Sequence, residues 1–123
     1  MEKQPTYGNG KICYIEIPAI DIPTSANFFE TVFGWNVRID NQGFAAFDDG
    51  VGEVSGMWVT DREPMGKAGL LISIMVDDAE ASVKLIEANG GTVVKAIDKD
   101  SSEITAHFTD PAGNLWGIYQ HGG

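Results

Sequence analysis

With 18 acidic against 8 basic residues, the 123-residue chain has a formal charge of −10. That charge repels nucleic acid and anionic membrane surfaces, and removes both from the expected partners. Hydrophobic residues make up 43% of the chain, enough for one domain to bury a core without disulfide or metal support. No apolar run approaches the length of a membrane span. The first ten residues lack the apolar core of a signal peptide and read as a loose arm. The one cysteine, Cys13, has no intrachain partner, which fits a reducing cytoplasm. Its place among isoleucines predicts a buried, inert thiol.

Residues 11–18 alternate with period two, placing Cys13, Ile15 and Ile17 on one face of a strand and Tyr14 and Glu16 on the other. Asp21 can cap the next helix and Pro23 fits its first turn, where a missing N–H costs nothing. Ile22, Ala26, Phe29 and Phe33 recur on one helical face, and Gly34 ends it. Strands follow at 35–39, 44–47 and 54–59, separated by glycine-containing turns. Residues 60–69, with Pro64, Gly66 and Gly69, read as a linker. A strand at 70–76 comes next, then a helix capped by Asp77 with Glu80 or by Asp78 alone, with Ala79, Val83 and Ile86 on its buried face. Strands at 93–97, 103–109 and 114–119 complete the chain.

The order strand–helix–three strands therefore occurs twice, and the sequence repeats with it. Ile15, Ile17, Asp21, Ser25, Glu30, Gly34 and Val37 recur 57 positions later as Ile72, Ile74, Asp78, Ser82, Glu87, Gly91 and Val94. One copy cannot cover its own sheet face, whereas two packed copies can. The expected architecture is α+β: two tandem βαβββ modules forming a curved mixed sheet around a central groove, with helices outside. Module one spans about 11–60, the linker about 61–69 and module two about 70–120.

This plan, with Phe28-Phe29-Glu30-Thr31-Val32-Phe33-Gly34-Trp35 closing the first helix and Asp110-Pro111-Ala112-Gly113-Asn114 before the last strand, resembles the vicinal-oxygen-chelate superfamily. That group includes glyoxalase I, extradiol dioxygenases and bleomycin-resistance proteins. Glu16-Ile17-Pro18 and the Phe-Gly-Trp ending are most similar to its small glyoxalase-related bacterial branch. The resemblance implies a divalent metal held by His or Glu on inward-facing strands, two per module. Carried onto this chain, those positions fall on Tyr14, near Gly56, on Leu71 and on Gly117. Leu and Gly offer no donor and neutral Tyr is a poor one. The expectation is a metal-free protein with no cofactor.

Glu16, Glu53 and His107 form an alternative ligand set, and Glu16 and His107 are the catalytic candidates. An imidazole at 107 could donate a proton or hydrogen-bond a ligand carbonyl. Tyr14, Trp58, Leu71, Met75, Gly117 and Tyr119 are expected to line the groove, with Glu16, Ser73, Thr105 and His107 as its polar points. Trp35 and Trp116 fall in the opposite phase, as core. Asp110 to Asn114 read as turn chemistry, and His121 as a solvated tail residue. The leading expectation is a cytoplasmic homodimer binding a small organic molecule. Its rivals are a lyase, isomerase or dioxygenase with displaced ligands, and a protein sequestering a cationic antibiotic.

Overall fold

The structure is a computed structural model describing residues 4–120, so His121 lies outside the described residues. Its elements are β1 (Tyr14–Pro18), α1 (Ile22–Phe33), β2 (Asn36–Ile39), β3 (Ala45–Asp48), β4 (Ser55–Val59), β5 (Ile72–Val76), α2 (Ala79–Ala88), β6 (Thr92–Lys95), β7 (Thr105–Thr109) and β8 (Leu115–Gln120). The chain thus adopts the expected α+β plan of two βαβββ modules. Its eight strands divide into two four-stranded mixed sheets, ordered β1-β4-β3-β2 and β5-β8-β7-β6. In each, the first strand of the module runs parallel to the last, and the remaining pairs are antiparallel.

Both helices start on an aspartate. Asp21 accepts from the Thr24 N–H at 3.1 Å and from the Thr24 hydroxyl. Asp78, rather than Asp77, does the same for the Ala81 N–H at 3.1 Å. Each cap satisfies a backbone donor that has no partner inside the helix. A third contact anchors α2, where the Ala79 N–H donates to Gln120 Oε1 at 2.9 Å.

Each sheet packs a helix on one face and leaves the other open. Ile17, Phe47 and Trp58 form the covered face of the first sheet; Ala106, Phe108, Trp116 and Ile118 form that of the second, and all are buried. The two covered faces meet through α1. Phe29 stacks on Trp35 at 4.6 Å between ring centroids, and also approaches Trp58 at 5.9 Å and Trp116 at 5.2 Å. Phe28 reaches Phe108 at 6.0 Å. One aromatic cluster therefore serves both modules, and each sheet turns its open face away from it. Among the described residues, no helix is long and apolar enough to cross a membrane.

Two expectations change here. Trp58 belongs to the core and not to a groove lining: it is fully buried and sits beside Ile17 in the parallel β1–β4 pair. Met57 takes the open-face position instead, beside Glu16 and Ala46. Cys13 is exposed, not buried, because β1 begins only at Tyr14. Its carbonyl alone joins the sheet, accepting from the Ser55 N–H at 3.1 Å.

Gly56 explains how Phe47 and β1 fit against β4. A Cβ at position 56 would stand 2.0 Å from the Ile15 carbonyl oxygen and 2.5 Å from the Phe47 ring. Backbone cannot yield as a flexible side chain can, so Gly56→Ala is expected to cost about 3 kcal/mol. Urea denaturation at 25 °C checks this, and a loss under ~1 kcal/mol would show that the pair relaxes freely.

Candidate functional site

The strand registers place most of the predicted site residues on the open faces. On the first sheet one row runs Arg38, Ala46, Met57, Glu16 from outer strand to outer strand. Tyr14 stands in the next row with Ser55 and Asp48. On the second sheet the corresponding row is Lys95, His107, Gly117, Ser73. Thr105, Tyr119 and Met75 form the row beside it. Leu71 lies just before β5 and is 45% exposed.

Gly117 is the hub of the second row. A Cβ there would meet Ser73 Oγ at 2.6 Å and the His107 ring at 3.6 Å. The serine hydroxyl and the imidazole edge thus flank a strip of backbone that carries no side chain. Tyr119 and Met75 border it with aromatic and thioether surface, and Met75 is 64% exposed.

The first sheet's open face is electrostatically closed. Arg38 pairs with Asp48, and Glu16 pairs with Arg62 from the linker. The carboxylate of Glu53 accepts from the Thr6 N–H and hydroxyl and pairs with Lys11. Glu16, Glu53 and His107 are therefore committed to separate places: one sheet, the loop before β4, and the other sheet. Among the described residues no three His, Cys, Asp or Glu side chains gather in a way that could hold a metal.

The metal positions implied by resemblance can now be assigned by register. Gly56 faces the core, so the fourth-strand position is Met57, which matches Gly117 of the second module. Tyr14, Met57, Leu71 and Gly117 supply at most a phenol and a thioether. That set does not fit a hard or borderline divalent ion.

Two concavities border these faces. A groove of about 510 Å³ beside the first sheet is lined by Arg38, Ile39, Asp40, Phe44, Ala46 and Met57. A larger cleft, about 740 Å³, lies between the modules and follows β5 from Ile72 to Val76. Ile15, Phe33, Trp35 and Val54 form its opposite wall, and Asp49, Asp77 and Asp78 stand among its lining. Of the predicted lining residues only Ser73 and Met75 touch it. The convergent hydrogen-bonding groups lie on the open face of the second sheet, so that face is the candidate site.

Asp110 is the acid near these strands whose carboxyl is raised, and its role is structural. It is 3% exposed. Its carboxylate accepts from the N–H groups of Ala112, Gly113 and Asn114, from Asn114 Nδ2 and from Trp116 Nε1. Asn114 in turn donates to the Pro18 carbonyl and accepts from the Met65 N–H. This knot fastens the linker and the end of β1 to the start of β8. Burial pushes the Asp110 carboxyl above its ordinary range, against the pull of those hydrogen bonds.

With this geometry in place, similarity to known proteins settles the lineage. Residues 11–118 match the Glyoxalase/Bleomycin resistance protein/Dioxygenase superfamily. The chain belongs to that superfamily. It is 33% identical over 121 residues to a glyoxylase-like domain-containing protein of Didymella fabae, covering 89% of this chain and 93% of that protein. An uncharacterised protein of Mycolicibacterium smegmatis is 32% identical over 95 residues, covering 76% and 79% of the two chains. Among solved structures, a superfamily enzyme from Burkholderia phytofirmans superposes with a TM-score of 0.71 at 23% identity, covering 87% of this chain and 95% of that one. A superfamily member from Sphaerobacter thermophilus gives 0.72 at 19%, covering 91% and 98%. These superpositions speak for the glyoxalase fold alone, since sites vary widely on one fold.

Proposed function

We propose that this glyoxalase-like protein binds a small organic ligand on the open face of its second sheet, without a divalent metal. The observation behind this reading is a substitution of chemistry at matched positions. Tyr14, Met57, Leu71 and Gly117 occupy the places where the superfamily resemblance calls for metal donors. Ser73, Thr105, His107 and Tyr119 supply hydrogen-bonding groups on the same surface as Gly117. Exposed Leu71 and Met75 offer apolar contact beside them.

A homodimer belongs to the proposal. The open faces carry large apolar side chains at the surface, including Tyr14 at 52% exposure, and a second copy laid over them would shelter both them and the ligand. The cytoplasm is the proposed compartment.

The test is elemental and native mass analysis of tag-free protein purified without chelator. The expected result is a dimer with less than a tenth of an equivalent of Fe, Mn, Ni or Zn. A full equivalent of any of these, lost on Glu16→Ala or His107→Ala, would falsify the metal-free reading and favour a metal-dependent enzyme. Electron density for an organic molecule against Ser73 and His107 is the positive counterpart, and density confined to the cleft along β5 would move the site there.

A further inference from the structure

The internal repeat gives this chain its own control experiment. Arg38 and Lys95 are repeat equivalents, each on the outermost strand of its sheet; Arg38 heads its row in regular register, and Lys95 heads its own across a register shift between Val93 and Lys95. In the first module Arg38 has a built-in counter-charge, Asp48, one row along on β3. The register equivalent of Asp48 in the second module is Thr109. Asp48 lies opposite Ser55 two residues beyond the Ala46–Met57 pair, and Thr109 lies opposite Leu115 two residues beyond the His107–Gly117 pair. The second module thus keeps the cation and lacks the carboxylate.

Along its own row Lys95 meets no counter-charge. His107 lies directly across from it, then Gly117, then Ser73. None of the Lys95, His107 and Ser73 side chains makes an ion pair or hydrogen bond to another described residue. Ammonium, imidazole and hydroxyl are all able to donate. Gly117 between the last two keeps the backbone strip bare, and no Asp or Glu stands in this row.

We infer that the row Lys95–His107–Gly117–Ser73 receives the carboxylate of a singly charged organic acid, which fills the role that Asp48 plays for Arg38. This rests on the reading of the second sheet's open face as a ligand site and names the ligand class. The chain's charge of −10 opposes polyanions, so a monoanion with an apolar body fits better than a phosphate ester. The apolar body has Met75 and Tyr119 to lie against on one side of the row, and Leu115 on the other. Lys and His donors to a carboxylate form charge-assisted hydrogen bonds, stronger than those to a neutral carbonyl.

The test compares 4-phenylbutyrate with its neutral isostere, 4-phenylbutyramide, by amide NMR titration of the full chain. The expected result is that the acid shifts resonances of β5, β7 and β8 and binds roughly tenfold more tightly than the amide. Lys95→Met should erase that preference. Thr109→Asp, which restores the missing internal counter-charge, should erase it too. Lys95 is exposed, so its variant keeps the fold even where the half-buried Thr109 variant loses stability. Equal binding of acid and amide on this face overturns the carboxylate assignment while leaving the ligand site standing. Shifts from neither probe on β5, β7 and β8 overturn the assignment, and shifts confined to the cleft beside Ile15 and Val54 overturn both readings. Retention of the acid preference in Lys95→Met overturns the assignment as well.

Discussion

Replacing Phe29 with alanine is expected to lower stability by about 4 kcal/mol. The ring is fully buried and contacts aromatic partners from both modules, with Trp35 and Trp58 on one side and Trp116 on the other. Removing it leaves a void bounded by large planar rings, which cannot collapse inward as aliphatic chains do. The melting temperature should fall by on the order of 10 °C or more. Because the void opens between the modules, the unfolding transition should also broaden as their coupling weakens. Calorimetry reads both effects. A change of less than ~1 kcal/mol with an equally sharp transition would mean that the modules are held together elsewhere.

Asp110→Ala is expected to cost about 3 kcal/mol, because it strands three backbone N–H groups, an indole N–H and a side-chain amide. The pH dependence carries a sign that identifies the residue. Burial raises the Asp110 carboxyl above 3.8 in the folded chain, so the folded state binds its proton more tightly than the unfolded state does. Its contribution is therefore greatest below the unfolded value, and it falls as pH rises through the window between the unfolded and folded values. Asp110→Asn removes this titration and leaves every other carboxylate in place. The stability difference between wild type and Asp110→Asn should then shift against wild type as pH rises through that window, and stay flat above it. Urea denaturation of both proteins from pH 3.5 to 7 measures the difference directly. A constant difference across the range would contradict the raised carboxyl.

The strand phases were legible where the chain alternates cleanly. Tyr14 and Glu16 against Ile15 and Ile17, and Ser73 and Met75 against Ile72 and Ile74, stand in the alternation that the sequence displays. The Asp21 cap is legible for the same local reason, whereas for α2 the sequence leaves Asp77 and Asp78 open and the structure selects Asp78. Trp58 was not legible, because the offset between modules changes partway along. Ile15 and Ile72 are 57 apart, but their strand partners Gly56 and Trp116 are 60 apart, as are Trp58 and Ile118. At the first spacing Trp58 matches Leu115, on the open face; at the second it matches buried Ile118. The shift arises between the second and third strands, where the pair Lys95–His107 spans 12 positions against 8 for Arg38–Ala46, and the last hairpin gives one back, His107–Gly117 spanning 10 against 11 for Ala46–Met57. Cys13 differs for another reason: period-two patterning runs the strand from residue 11, three residues before β1 begins at Tyr14. Arg62 on Glu16 joins a linker to a strand, and no sequence periodicity reports such a contact.

Crowding at Gly117 also bears on how this surface can drift. Any heavier residue there starts from a Cβ 2.6 Å from the Ser73 hydroxyl, so Ser73 must first swing aside or shrink. Positions 73 and 117 are thus expected to vary as a correlated pair among close relatives. A donor-bearing side chain on the last strand becomes accessible to evolution only after its neighbour on β5 has made room.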